Sequence, residues 1–196
     1  MAVVSSLAIP VVIHKRQVLA EPSVEDITRS LSSPAIGGRV FLTAPQMAET
    51  RDPTKWPVVM RSLLRIDRPL GYGQWIWNDR GVGPGRTTVR VDLGTQLISV
   101  FRGGHEIGTS VILYGAATHE TPVGQFPILS KAADYHSRTY DAPMPYTLRL
   151  TADGVAIHGS NVASGRATHG CIGLPLEFAR RLFQQAKRGD MVLILR

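Results

Sequence analysis

One cysteine, Cys171, stands in 196 residues. A single thiol cannot build an internal disulfide framework, so pairing says nothing about the redox compartment. Long apolar runs are missing as well. A membrane-spanning helix needs about 20 such residues, whereas the apolar opening, Ala2 to Ile13, is short and broken by Pro10. A secretory leader carries its positive charge before its apolar stretch. Here His14-Lys15-Arg16 come after it, so the segment makes an unconvincing signal peptide. Charge is sparse at 19%, and acidic residues are the scarcer sign, 15 against 22 Lys and Arg, which leaves +7 and a pI near 10.1. Polyanions are therefore the expected neighbours. The basic residues are scattered, and neither a recognition helix nor an aromatic RNA-binding motif accompanies them, so no specific nucleic acid is expected, while anionic cell-envelope polymers and membrane surfaces fit equally well. The cluster Gly81-Val82-Gly83-Pro84-Gly85 lacks the lysine and hydroxyl residue that would follow in a phosphate-binding loop, and reads as a turn.

What is present is turn-rich. Nineteen glycines and 13 prolines with 43% hydrophobic residues favour short strands over a helical bundle. Residues 1–57 mix Pro, Ser, Thr and charge without sustained periodicity and read as an arm or linker, with a short helix expected at Ser23 to Leu31. Residues 58–86 form an aromatic-containing β segment in which Trp75 and Trp77 fall on one face of a strand. From 87 to 196 the alternation of Val89, Val91 and Leu93 with Arg90 and Asp92, then the turns at Gly94 and Gly103, predicts an antiparallel meander. A polar insertion, Lys131 to Pro143, is long enough to act as a flap. Near the end, Leu176, Ala179, Leu182, Phe183 and Ala186 recur at helical spacing, with Pro175 in the first turn and Gly189 as C-terminal cap, before a last strand from Met191 to Leu195.

The chemistry concentrates in Val155-Ala156-Ile157-His158-Gly159-Ser160-Asn161 and Ala167-Thr168-His169-Gly170-Cys171-Ile172-Gly173. An apolar run delivers His158 at a strand end, and a loop leads on to the sulfur. A thiol attacks carbonyl carbon as thiolate, so a nucleophilic cysteine needs a base and a positive potential to lower its pKa from about 8.5. His158 supplies the base. The positive end of the helix near Pro175 is expected to lie close to Cys171, and the N–H groups of Gly170 and Cys171 are expected to point together as an oxyanion hole. The carbonyl of Gly159 is a candidate for fixing the imidazole tautomer. His158, His169 and Cys171 are also possible zinc ligands, but no fourth cysteine or acidic ligand is close in sequence, so no metal is expected.

A strand-end histidine followed by Thr168-His169-Gly170-Cys171 resembles the signature of the YkuD-type L,D-transpeptidases, bacterial cell-wall enzymes with a cysteine nucleophile. The resemblance extends through Thr121-Pro122-Val123-Gly124 and Met144-Pro145-Tyr146 to Gly189-Asp190-Met191-Val192, roughly residues 87 to 196. Gly173 departs from it, since most members carry Arg or Asn there. The resemblance implies a mainly β sandwich or open barrel with one helix after the cysteine. It implies acyl transfer between peptidoglycan stem peptides, with no cofactor, in the cell envelope and so in the periplasm. Catalytic candidates are Cys171, His158, His169 and Gly170; candidate substrate contacts are Tyr146, Met144, Thr168, Gly159 and Ser160. Water in place of the acceptor amine would make an L,D-carboxypeptidase, and loss of turnover would leave a peptidoglycan-binding module.

Overall fold

The computed structural model describes residues 38–196. The short helix expected at Ser23 to Leu31 and the apolar opening lie outside them. Strands number fourteen among the described residues: β1 (Arg39–Phe41), β2 (Ser62–Leu64), β3 (Trp75–Trp77), β4 (Thr87–Asp92), β5 (Leu97–Arg102), β6 (His105–Val111), β7 (Gly124–Pro127), β8 (Ser130–Ala132), β9 (His136–Ser137), β10 (Ala142–Pro143), β11 (Thr147–Arg149), β12 (Ala156–Gly159), β13 (Ile172–Leu174) and β14 (Met191–Leu195). Two helices join them, α1 (Ala44–Glu49) and α2 (Leu176–Gln185). The fold is mainly β, as its turn-rich composition requires.

The expected meander is present: β4, β5 and β6 pair antiparallel in sequence order. Their sheet runs β1-β2-β6-β5-β4-β14-β7, with β3 also on β6. Strand β14 closes it by lying parallel to β4, Met191 opposite Thr88, a crossover that no local pattern announces. Residues before Thr87 thus extend the same sheet, and β1 and α1 are regular elements inside the stretch that reads as an arm. A second sheet, β13-β12-β11-β8, carries His158.

One apolar cluster joins both sheets to α2. It contains Val89, Val91, Ile98, Val100 and Ile107 from the first sheet, Leu148, Ile157 and Ile172 from the second, and Phe178, Ala179, Leu182 and Ala186 from the helix segment, all nearly inaccessible. Burying such side chains contributes about 1.5–3 kcal/mol each before entropy is counted. The helix turns inward the face its spacing predicts at Ala179, Leu182 and Ala186, with Phe183 packed against the core, but Phe178 is buried in place of Leu176, which is exposed. Gly189, with φ +87, makes the turn into β14 and does not cap α2, which ends at Gln185. Trp75 and Trp77 both pack against Phe178, with ring centroids 6.1 and 5.4 Å away. That pair is core facing.

Candidate active site

The site is built on the parallel pairing of β12 with β13, where Ile157 faces Ile172 and His158 faces Gly173. Side chains alternate along a strand, so Ile157 and Ile172 enter the core together. By the same alternation Cys171, one residue before Ile172, shares the opposite face with His158. With strands about 4.8 Å apart and a rise of about 3.3 Å per residue, their Cβ atoms are on the order of 8 Å apart. An imidazole extended along the strand and a rotated thiol can close that gap. Gly173, directly opposite His158, puts no side chain between them. A Cβ there would sit 3.0 Å from Ser160 Cβ and 3.3 Å from Leu113 Cβ, so the Arg or Asn of the resemblance has no room without a shift.

His158 is buried, and its Nδ1 lies 2.9 Å from the carbonyl oxygen of Gly159. A carbonyl can only accept, so Nδ1 carries the proton and Nε2 keeps its lone pair. Burial lowers the imidazole pKa, the Gly159 bond partly opposing it. The residue is therefore neutral near pH 7 and able to accept a proton.

Cys171 is half-buried. Its Sγ points at the carbonyl of Gly154, 3.8 Å away, in the turn before β12. Burial pushes the thiol pKa up, a hydrogen bond from the Ala156 backbone N–H pulls it down, and the charge of Asp153 raises it again. This corrects the expectation of a lowered thiol. The physical reason is burial of the sulfur first and the Asp153 charge second, and α2 is not placed to offset them. Strand β13 intervenes between Cys171 and Pro175, so the helix N-terminus lies about four residues of extended chain, roughly 13 Å, from the sulfur. A helix dipole acts over its first turn and does not reach that far. The resting pair is neutral thiol and neutral imidazole, with no hydrogen bond between Nε2 and Sγ.

The loop holding the sulfur is tied down by threonines. Thr121, 2% exposed, accepts from Gly115 N–H at 2.9 Å and donates to the Gly170 carbonyl at 3.0 Å. In a trans peptide C=O and the following N–H point oppositely, so fixing the Gly170 carbonyl aims the Cys171 N–H the other way. Neither that N–H nor Gly170's donates to a backbone carbonyl among the described residues. Gly170 has φ +98, which side chains rarely adopt. Thr168 spends its hydroxyl on the Cys171 carbonyl and its backbone on Tyr114 and Ala116. It holds the loop. Beneath it, Gly115 admits no Cβ, which would lie 2.0 Å from the His119 oxygen and 2.9 Å from Gly170 Cα.

The remaining candidates separate. His169 is exposed; its ring stacks on Tyr140 at 4.5 Å and meets His119 edge-on at 5.2 Å, and none of these contacts is with the sulfur. Met144 is buried, and half-buried Tyr146 lies against Phe183 at 5.8 Å. Gly159 donates to Pro145 O, and Ser160 donates to Leu174 O beside Gly173. Sequence reasoning missed Thr121 as the buried anchor although its Thr-Pro-x-Gly turn is conspicuous, and it missed Tyr140 as the residue over His169. Among the described residues no three His, Cys, Asp or Glu side chains gather as metal ligands.

The model of the L,D-transpeptidase catalytic domain, YkuD, matches residues 86–194, a span that includes both His158 and Cys171. Solved structures similar to the chain include an L,D-transpeptidase from Stackebrandtia nassauensis (24% identity, TM-score 0.54, covering 58% of this chain and 57% of that one). Another is from Mycobacterium tuberculosis (22%, 0.53, 58% and 59%), and a third from Enterococcus faecium (26%, 0.52, 57% and 50%). This chain thus spans between half and three fifths of the length of these relatives. None of the curated proteins compared with it matches.

Proposed function

The chain belongs to the L,D-transpeptidase catalytic domain family, and from that premise we propose that Cys171 and His158 carry out acyl transfer on peptidoglycan stem peptides. The observation that carries this reading is the hydrogen bond from His158 Nδ1 to the Gly159 carbonyl. It leaves Nε2 as a base on the face that Cys171 shares.

With both groups neutral at rest, general-base catalysis is favoured over a preformed ion pair. Rotation of Cys171 away from Gly154 brings its S–H to Nε2. As the proton moves to nitrogen, sulfur attacks the carbonyl carbon at the L-to-D bond of the donor stem. The tetrahedral oxyanion is received by the N–H groups of Gly170 and Cys171. Collapse breaks the C–N bond, the imidazolium protonates the departing amine, and a thioester remains. An amine of a second stem then attacks the thioester and gives its proton to Nε2. The C–S bond breaks, and the proton returns to sulfur. His169, stacked under Tyr140, shapes the lip of the groove. A wall polymer as substrate puts this work in the cell envelope, on the periplasmic side.

The test is incubation with a disaccharide tetrapeptide followed by intact-mass measurement. A thioester adduct on Cys171 and a cross-linked product are expected. Equal processing by wild type and Cys171→Ala would remove the nucleophile from this account. Formation of disaccharide tripeptide alone, without cross-linking, would identify water as the acceptor.

A further inference from the structure

A second polar site lies where β6 begins, at the opposite end of that strand from the loop bearing Cys171. From His105 to Leu113 is eight residues of extended chain, about 25 Å. A cleft of about 350 Å3 opens there between β1, the turn after β3 and the start of β6. Its walls include Arg39, Phe41, Asn78, Arg80, Val82 and His105.

Its charge is one-sided. Arg39 is only 4% exposed and is held by Ser62 Oγ and the carbonyls of Glu106 and Asn78. A guanidinium has five N–H donors, so two remain uncommitted among the described residues. None of its bonds is to a carboxylate, so its charge is left without a contact ion pair. Arg80 lines the cleft with no side-chain partner among the described residues. His105 turns Nδ1 to Ser62 Oγ at 2.8 Å, leaving Nε2 for another group. The nearest acids, Glu106 and Asp79, attract Arg39 without contacting it: Asp79 reaches Arg102 at 3.5 Å, and Glu106 is fully buried with Oε2 accepting the Leu64 N–H at 2.8 Å. No carboxylate lines the cleft.

Two arginines and a ring N–H lining a cleft that no carboxylate lines suit a tetrahedral oxyanion, which a planar guanidinium binds through paired hydrogen bonds. The volume exceeds that of a bare inorganic ion, and Phe41 and Val82 supply apolar wall for a carbon substituent. We propose that this cleft binds an organic phosphate ester, with Arg39 and Arg80 meeting the phosphate oxygens, His105 Nε2 in hydrogen-bond reach of them, and Phe41 covering the ester group. The site is independent of acyl transfer at Cys171 and stands whether or not that reading holds.

Titration of 15N-labelled protein with glycerol 3-phosphate, inorganic phosphate and acetate at constant ionic strength tests it. Saturable shifts confined to residues 39–41, 78–82 and 105 are expected, with glycerol 3-phosphate the tightest and acetate the weakest by tenfold or more. Arg80→Glu, whose folding is checked by its unliganded melting temperature, should bind the ester at least tenfold more weakly, and Arg39→Lys should weaken it as well. Co-sedimentation with phosphatidylglycerol vesicles separates the sources: sedimentation competed by glycerol 3-phosphate identifies a lipid headgroup, and soluble binding without sedimentation identifies a free ester. Non-saturable shifts spread over the surface, acetate binding as tightly as the ester, or undiminished binding by Arg80→Glu would each overturn the proposal.

Discussion

Two histidines in this molecule are held in the same manner and left with opposite prospects. His158, in β12, and His105, opening β6, each fix Nδ1 with one hydrogen bond, to a carbonyl and to a hydroxyl respectively. Around His158 the hydrogen-bond partner is the Gly159 carbonyl, and no cation contributes to its pKa. Around His105 the neighbours are Arg39 and Arg61, whose charges add to burial in lowering its pKa. The carbonyl partner dictates a donor at Nδ1 and hence a base at Nε2. The hydroxyl of Ser62, which already accepts from Arg39, can donate to His105 Nδ1 and leave the proton on Nε2, making that nitrogen a donor. The lesson is that a histidine's chemistry is set by what its fixed nitrogen touches.

That contrast can be broken or sharpened in order of expected effect. His158→Ala should reduce thioester formation by about 100- to 10,000-fold, the range typical of a removed general base, read by single-turnover mass spectrometry; a loss under threefold would move the base elsewhere. Gly115→Ala strikes the floor of the Cys171 loop rather than its chemistry. With a Cβ 2.0 Å from a carbonyl oxygen, it should cost about 3 kcal/mol in urea unfolding, and a cost below about 1 kcal/mol would mean that the loop yields.

Glu106 tests the other cluster. Burial raises its pKa from 4.5 to about 7. A raised carboxyl favours the fold while protonated, so this stabilisation is full below about 4.5 and is lost as pH rises through about 7, at most about 3 kcal/mol in all. Glu106→Gln should flatten that pH dependence in urea unfolding between pH 4.5 and 8; an unchanged slope would assign it to other groups. Thr121→Val, which leaves Gly115 N–H and the Gly170 carbonyl without their shared hydroxyl, should cost about 2 kcal/mol and slow acylation as the Cys171 N–H loses its aim.

The smallest effect is a pair of shifts. The acid limb of kcat/KM should fall below histidine's ordinary 6.5, while iodoacetamide labelling of free enzyme should accelerate only above the ordinary thiol range, since burial raises Cys171. Rapid labelling at neutral pH would restore the ion-pair mechanism.

Much of this was readable from residues alone because it is local. The alternation in Thr87 to Asp92, the hairpin turns and the strand-end His158 each encode their element within a few positions. So did the Gly159 carbonyl beside the imidazole, one residue away. What escaped depends on partners distant in sequence. The parallel pairing of β14 with β4 joins residues about a hundred apart, and the packing of Trp77 on Phe178 does likewise. The thiol's surroundings were misjudged because its burial and the Asp153 charge come from a turn distant in sequence, and because Ile172 to Leu174 forms a strand between the sulfur and a helix that starts where expected. Three residues are too few for periodicity to reveal.

That closing pair, β4 beside β14, sets an order of events during synthesis. Strand β7, just past Thr121, finds its partner only in β14, and β4 waits for the same five residues. Contacts of such long range form late. A nascent chain can therefore assemble its meander early, yet the sheet against which the site's own sheet packs is completed only when the last residues emerge, so a truncated product would carry the thiol on an unfinished core.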